Sequence, residues 1–215
     1  MRIAIPLFDR VTALDAIGPY EVLSRLPGAS VHFVGVEPGE KRTDTRALGL
    51  SADLALSDLP DPEVLVVPGG YGTRALLRDA ELLGWVRSAH ETSQWTASVC
   101  TGSLVLAAAG VLDGLEATTH WLEYDLLESL GARPVARRVV RQGKVITAAG
   151  VSSGIDMALT LAALIAGDDV ARGIQLAIEY DPEPPFDSGS PAKADRKLVE
   201  TVTALARGEA EMASS

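Results

Sequence analysis

The chain contains one cysteine, Cys100, set in the run Thr96-Ala97-Ser98-Val99-Cys100-Thr101-Gly102-Ser103. The first four residues read as an inner strand and the last three as the start of a helix built from small residues, which puts the thiol on a sharp strand-to-helix turn. In α/β proteins such turns hold a nucleophile above the carboxyl edge of the sheet, with backbone N–H groups aimed at the reacting atom. A thiol at a helix N-terminus also has its thiolate favoured by the helix dipole, which predicts a lowered pKa. The alternative at this position is a buried structural cysteine, free cysteines being among the most buried residues. A lone cysteine excludes an intramolecular disulfide and any CxxC zinc or redox motif, and predicts a cytoplasmic protein.

Two other segments carry residues suited to the same edge. Val67-Pro68-Gly69-Gly70-Tyr71-Gly72 places glycines just past a buried β run, where the backbone can approach a ligand and present N–H groups as an oxyanion hole does; an ordinary βα turn is the alternative. Leu14-Asp15-Ala16-Ile17-Gly18-Pro19 follows the first strand, so Asp15 is expected near the sulfur, with a helix N-cap as its plainer role. Of the three histidines, His32 and His90 read as structural, while His120, beside Thr119 and Trp121, belongs to a segment that could return to the cysteine. No histidine has partners at ligand spacing, so no metal site is expected. The glycines fit neither GxGxxG nor GxxxxGK[ST], so no cofactor is expected.

The elements that must position these residues alternate between short β-branched runs and helical patterns, the sign of βαβ units and a parallel sheet buried on both faces. Strands are predicted at 3–7, 31–36, 64–67 and 96–99, then at 135–140 and 144–147 joined by Gln142-Gly143. Helices are predicted over 20–26, opened by Gly18-Pro19, and over 74–91, 103–109, 151–166 and 170–179. A proline-rich surface loop is expected over 180–191 and a last helix over 192–207. Residues 1–215 read as one domain.

The composition suits such a fold. Of 215 residues 47% are apolar, enough for a core, and the charge of 19 − 29 = −10 argues against a nonspecific grip on nucleic acid or an anionic membrane. The longest apolar stretch, 157–166, is about ten residues where a membrane helix needs roughly 20. No leader-like start is evident, and the 24 residues after Pro191 are too few for a helix-turn-helix domain.

Together these pieces resemble the ThiJ/PfpI family of the class I glutamine amidotransferase-like superfamily, over nearly the whole chain. The resemblance rests on Leu14-Asp15…Gly18-Pro19-Tyr20-Glu21-Val22, Val66-Val67-Pro68-Gly69-Gly70, Ser98-Val99-Cys100-Thr101-Gly102-Ser103 and Ala117-Thr118-Thr119-His120-Trp121. Within the family the sequence is most similar to the isonitrile hydratases, through Asp15, Cys100-Thr101, the run from Gly150 to Asp156, and the run from Glu179 to Pro191. It implies a flavodoxin-like three-layer sandwich, a homodimer, and a lyase acting on a small-molecule substrate without nucleic acid, membrane or cofactor. It further implies catalytic roles for Cys100, Asp15 and Thr101. Gly69 and Gly70 would be the backbone that holds developing charge, and Ile17, Tyr71, His120 and Trp121 would be substrate walls. Histidine does not follow the cysteine here, which weakens a peptidase reading. A glyoxalase or deglycase on the same scaffold, and a ligand or redox sensor, are the competing functions.

Overall fold

The computed structural model describes residues 1–213, which divide into two compact units, Met1–Ile178 and the segment from Glu179 onward. In the first unit, seven strands form one sheet. They are β1 (Arg2–Pro6), β2 (Ser30–Gly35), β5 (Leu54–Ala55), β6 (Val64–Val67), β7 (Trp95–Val99), β10 (Val139–Gln142) and β11 (Val145–Ala148), in the order β10-β11-β7-β6-β1-β2-β5. Only β10 runs antiparallel to its neighbour; the other pairs are parallel. Two small pairs not foreseen from the sequence complete the β-structure: the hairpin β3 (Gly39–Arg42) and β4 (Gly49–Ala52), and the parallel β8 (Glu116–Ala117) and β9 (Arg133–Pro134).

Burial of the central strands on both faces explains their unbroken apolar runs. On one face Ile3, Ile5, Val64, Val66, Ala97 and Val99 pack in one core cluster with α1 (Ala13–Leu23), α6 (Ser153–Ala166) and α7 (Asp168–Ala177). On the other, Ala4, Leu65 and Val67 pack with α3 (Ala80–Thr92), α4 (Gly102–Ala108) and α5 (Tyr124–Ser129). The result is the flavodoxin-like α/β sandwich expected. Among the described residues no helix is long and apolar enough to cross a membrane.

In the first unit two helices differ most from the sequence reading. The first helix starts at Ala13 and carries Gly18 and Pro19 inside it, where the sequence reading opened it after them. Both residues serve a close helix crossing: a Cβ on Gly18 would lie 3.1 Å from Ile155 Cγ1, and one on Gly154 would lie 3.5 Å from Pro19 Cδ. The helix expected over 74–91 is two, α2 (Thr73–Leu76) and α3, because the Asp79 carboxylate caps the second by accepting the Leu82 N–H at 3.0 Å.

In the second unit, 180–191 contains no helix or strand, as expected of its prolines. Helix α8 (Arg196–Ala213) begins four residues later than predicted, at a point where Asp195 accepts the Leu198 N–H at 2.9 Å.

Candidate active site

Strands β1, β6 and β7 are neighbours, and the loops at their carboxyl ends supply the chemically capable residues. The chain leaves β1 toward β2 on one side and returns to β6 on the other. The β1/β6 boundary is therefore a topological switch point, where diverging loops open a crevice at the sheet edge. Asp15 follows β1, Gly69 and Gly70 follow β6, and Cys100 and Thr101 follow β7.

Asp15 lies in the first turn of α1 and is fully buried. It is not the helix N-cap; Thr12 holds that position. Its Oδ2 accepts the Gly69 N–H at 3.0 Å, while Oδ1 is buried with no hydrogen-bond partner. Gly69 is where the three loops converge: a Cβ there would stand 2.6 Å from both the N and Oγ1 of Thr101 and 2.8 Å from Asp15 Oδ2. Gly70 adopts φ +134°, a region that disfavours side chains, and its N–H donates to Thr101 Oγ1 at 2.9 Å. The Thr101 hydroxyl in turn donates to the Gly70 carbonyl at 3.2 Å. Both glycine N–H groups, expected to face developing charge, are thus already committed within the protein.

Cys100 takes φ +55°, an uncommon conformation for a residue with a Cβ. Its N–H is shared between the carbonyls of Ala148 (3.1 Å), the last residue of β11, and Ala149 (3.0 Å), the residue after it, and its own carbonyl accepts from Ser103 Oγ (3.1 Å) and Thr119 Oγ1 (3.0 Å). The backbone N–H groups of Thr101 and Val151 donate to the sulfur, and these donors favour the thiolate. They do not prevail. Burial pushes the thiol above its ordinary pKa and the Asp15 charge adds to that, so the lowering expected from the helix terminus is reversed by desolvation.

Burial likewise raises Asp15, to about 7, against the opposing pulls of the Gly69 N–H and the Cys100 thiol; the Asp44 charge adds to the rise. Asp44 is tied to the site through Thr12, whose hydroxyl donates to Asp44 Oδ2 at 2.9 Å. The Thr12 carbonyl accepts the Asp15 N–H, and its N–H donates to the Gly69 carbonyl. Cys100 and Asp15 therefore form a buried, mutually coupled pair in which Asp15 exchanges its proton near neutrality.

Four further residues are expected at the site. Ile17, Tyr71, His120 and Trp121 are all half-buried. Tyr71 carries the Arg10 and Arg74 guanidinium groups at 5.5 and 5.6 Å from its ring centroid. Arg74 also pairs with Glu123. His120 packs against Gly150, where a Cβ would lie 2.8 Å from His120 Cδ2. Burial and the nearby Arg74 charge lower its pKa, which keeps the ring neutral, and Nδ1 accepts the Leu122 N–H at 3.4 Å. His32 and His90 stand apart from the site: each bonds a hydroxyl, of Ser30 and Thr96 respectively. Among the described residues no group of three or more His, Cys, Asp or Glu could hold a metal ion.

The sequence reading missed the Val151 N–H, the carbonyl anchors of Cys100, and Asp44. Val151 has φ +26°, and a β-branched residue gives no sequence sign of such a conformation.

The DJ-1/PfpI family pattern matches residues 1–164. The chain belongs to the DJ-1/PfpI family. This DJ-1/PfpI protein is 46% identical over 200 residues to the isonitrile hydratase of Pseudomonas putida, covering 93% of this chain and 87% of that one. It is 30% identical over 179 residues to the HTH-type transcriptional regulator CdhR of Pseudomonas aeruginosa, of which it covers 51%. Among solved structures, a ThiJ/PfpI family protein from Pseudomonas syringae superposes with a TM-score of 0.93 at 34% identity, covering 98% of this chain and 87% of that one. DJ-1beta of Drosophila melanogaster, at a TM-score of 0.75 and 23% identity over 83% of this chain and 97% of that one, shares the fold.

Proposed function

We propose that this DJ-1/PfpI protein is an isonitrile hydratase, a lyase that adds water to an isonitrile to give an N-substituted formamide without a cofactor. The buried Asp15–Cys100 pair carries the reading, because it combines a nucleophile with a carboxyl whose pKa is raised to about 7. The likeness to the Pseudomonas putida enzyme supports it.

Addition to an isonitrile R–N≡C needs a nucleophile and a proton at the same carbon. The reactive pair holds one proton. As the Cys100 sulfur bonds to the terminal carbon, that proton passes through the Asp15 carboxyl to the same carbon, giving the thioimidate R–N=CH–S–Cys100 and leaving Asp15 as carboxylate. Asp15 then takes a proton from water as the water oxygen adds to the carbon and passes that proton to the nitrogen. Collapse of R–NH–CH(OH)–S–Cys100 breaks the C–S bond, releases R–NH–CHO and returns the singly protonated pair. The N–H groups of Thr101 and Val151 stabilise the sulfur whenever it carries charge. Thr101 acts through its N–H, its hydroxyl being engaged with Gly70. Half-buried Ile17, Tyr71 and Trp121 are suited to receive R.

Incubating the protein with a small alkyl isonitrile and following the formamide by chromatography tests the reading. Turnover to formamide is expected. Turnover of methylglyoxal with no formamide would assign the scaffold to a glyoxalase instead.

A further inference from the structure

We propose that Thr119 is a positioning residue that holds the Cys100–Thr101 peptide plane, and with it the Thr101 N–H, in register with the Cys100 sulfur. A residue with a Cβ persists in the left-handed region only where its surroundings over-determine it. At Cys100 the incoming side is fixed by the N–H shared between Ala148 and Ala149. The outgoing side is fixed by the two hydroxyls on its carbonyl. Ser103 belongs to the same helical turn and moves with it. Thr119 is different: it is fully buried, nineteen residues away, and comes from the segment after β8. That segment is referenced to the sheet, because the neighbouring Thr118 N–H donates at 2.9 Å to Thr147 Oγ1. Thr147 of β11 pairs in register with Ser98 of β7, two residues before the thiol.

The Cys100 carbonyl and the Thr101 N–H are the two ends of one rigid, planar peptide group. A bond that fixes the oxygen therefore fixes the direction of the N–H, and that N–H is one of the two backbone donors to the sulfur. Thr119 thus acts on the thiolate from the far end of the plane without touching it. The charged group that acts on the same thiol is Asp15, which approaches from α1 and is unaffected by the substitution. The role of Thr119 depends on the conformation of Cys100 and holds for whichever reaction the thiol performs.

The test is the second-order rate of Cys100 alkylation by iodoacetamide as a function of pH, which needs no isonitrile and so stands apart from the hydratase assay. Thr119→Val keeps the volume and removes the donor. It should slow alkylation at pH 8 by about fivefold, the effect of losing one neutral hydrogen bond, and displace the rate–pH curve to higher pH. Thr119→Ser should return the rate to within about twofold of wild type. Thr119→Ala, judged by the same curve, replaces the valine variant if the added methyl prevents folding. A donorless variant with the wild-type curve would overturn the inference, whatever its thermal midpoint. So would a serine variant as slow as valine, which would make the effect one of packing.

Discussion

Replacing Asp15 by asparagine should stabilise this protein at alkaline pH, although it removes a group central to the proposed chemistry. Asp15 is fully buried, and burial raises its carboxyl from 3.8 to about 7. Between those two values the folded state binds a proton that the unfolded chain has released, so stability falls as pH rises through this window and stays reduced above about 7. Across that window each pH unit costs about 1.36 kcal/mol, which amounts to roughly 4 kcal/mol at pH 8. Asparagine keeps an acceptor for the Gly69 N–H at 3.0 Å and carries no charge. The variant should therefore exceed wild type by up to about 4 kcal/mol at pH 8, or roughly 10 °C in thermal midpoint for a domain of this size. Any packing cost of the new amide is independent of pH, so the decisive quantity is the difference between two pH values. The advantage of asparagine should grow by about 3 kcal/mol from pH 5 to pH 8, most of it before pH 7. Urea unfolding of both proteins at pH 5, 6, 7 and 8 reads this directly. An advantage unchanged across the series would refute the claim that Asp15 is a desolvated carboxylate with a raised pKa.

Further expectations concern the same convergence of loops. The kcat/KM for an isonitrile should rise about tenfold per pH unit below 7 and level above it, because the doubly protonated pair has no base to take the thiol proton. A profile that falls with increasing pH between 5 and 7 would contradict this. Gly69→Ala should abolish turnover and cost about 2 kcal/mol of stability, since its Cβ would stand 2.6 Å from the Thr101 N and Oγ1; steady-state kinetics and urea unfolding check both halves. Thr101→Val should leave the buried Gly70 N–H without its acceptor and cost about 1–3 kcal/mol by urea unfolding.

The parallel core and the strand-to-helix turn that carries Cys100 were legible in the sequence because both depend on local pattern. Strand Val64–Val67 is apolar at every position since both faces are covered, and Cys100 stands where such a strand meets a run of small residues. Gly18-Pro19 misled as a helix start: the pair sits inside α1 to let α6 approach, a tertiary demand that overrides propensity. Asp79 was missed as a cap because the apolar positions run on past it. The donor at the sulfur from Val151 and the influence of Asp44 on Asp15 depend on segments far apart in sequence, which no spacing rule connects. The thiol's raised pKa was unreadable for the same reason. Its helix terminus is local, whereas its desolvation is a property of the assembled core.

The most direct test of the Asp15–Cys100 mechanism is to quench turnover of a small alkyl isonitrile with acid within the first cycle and map the protein by mass spectrometry. The peptide bearing Cys100 should gain the full mass of the isonitrile, as a thioimidate must. Cys100→Ala should show neither adduct nor formamide. Formamide produced by the Cys100→Ala protein at the wild-type rate would contradict the account.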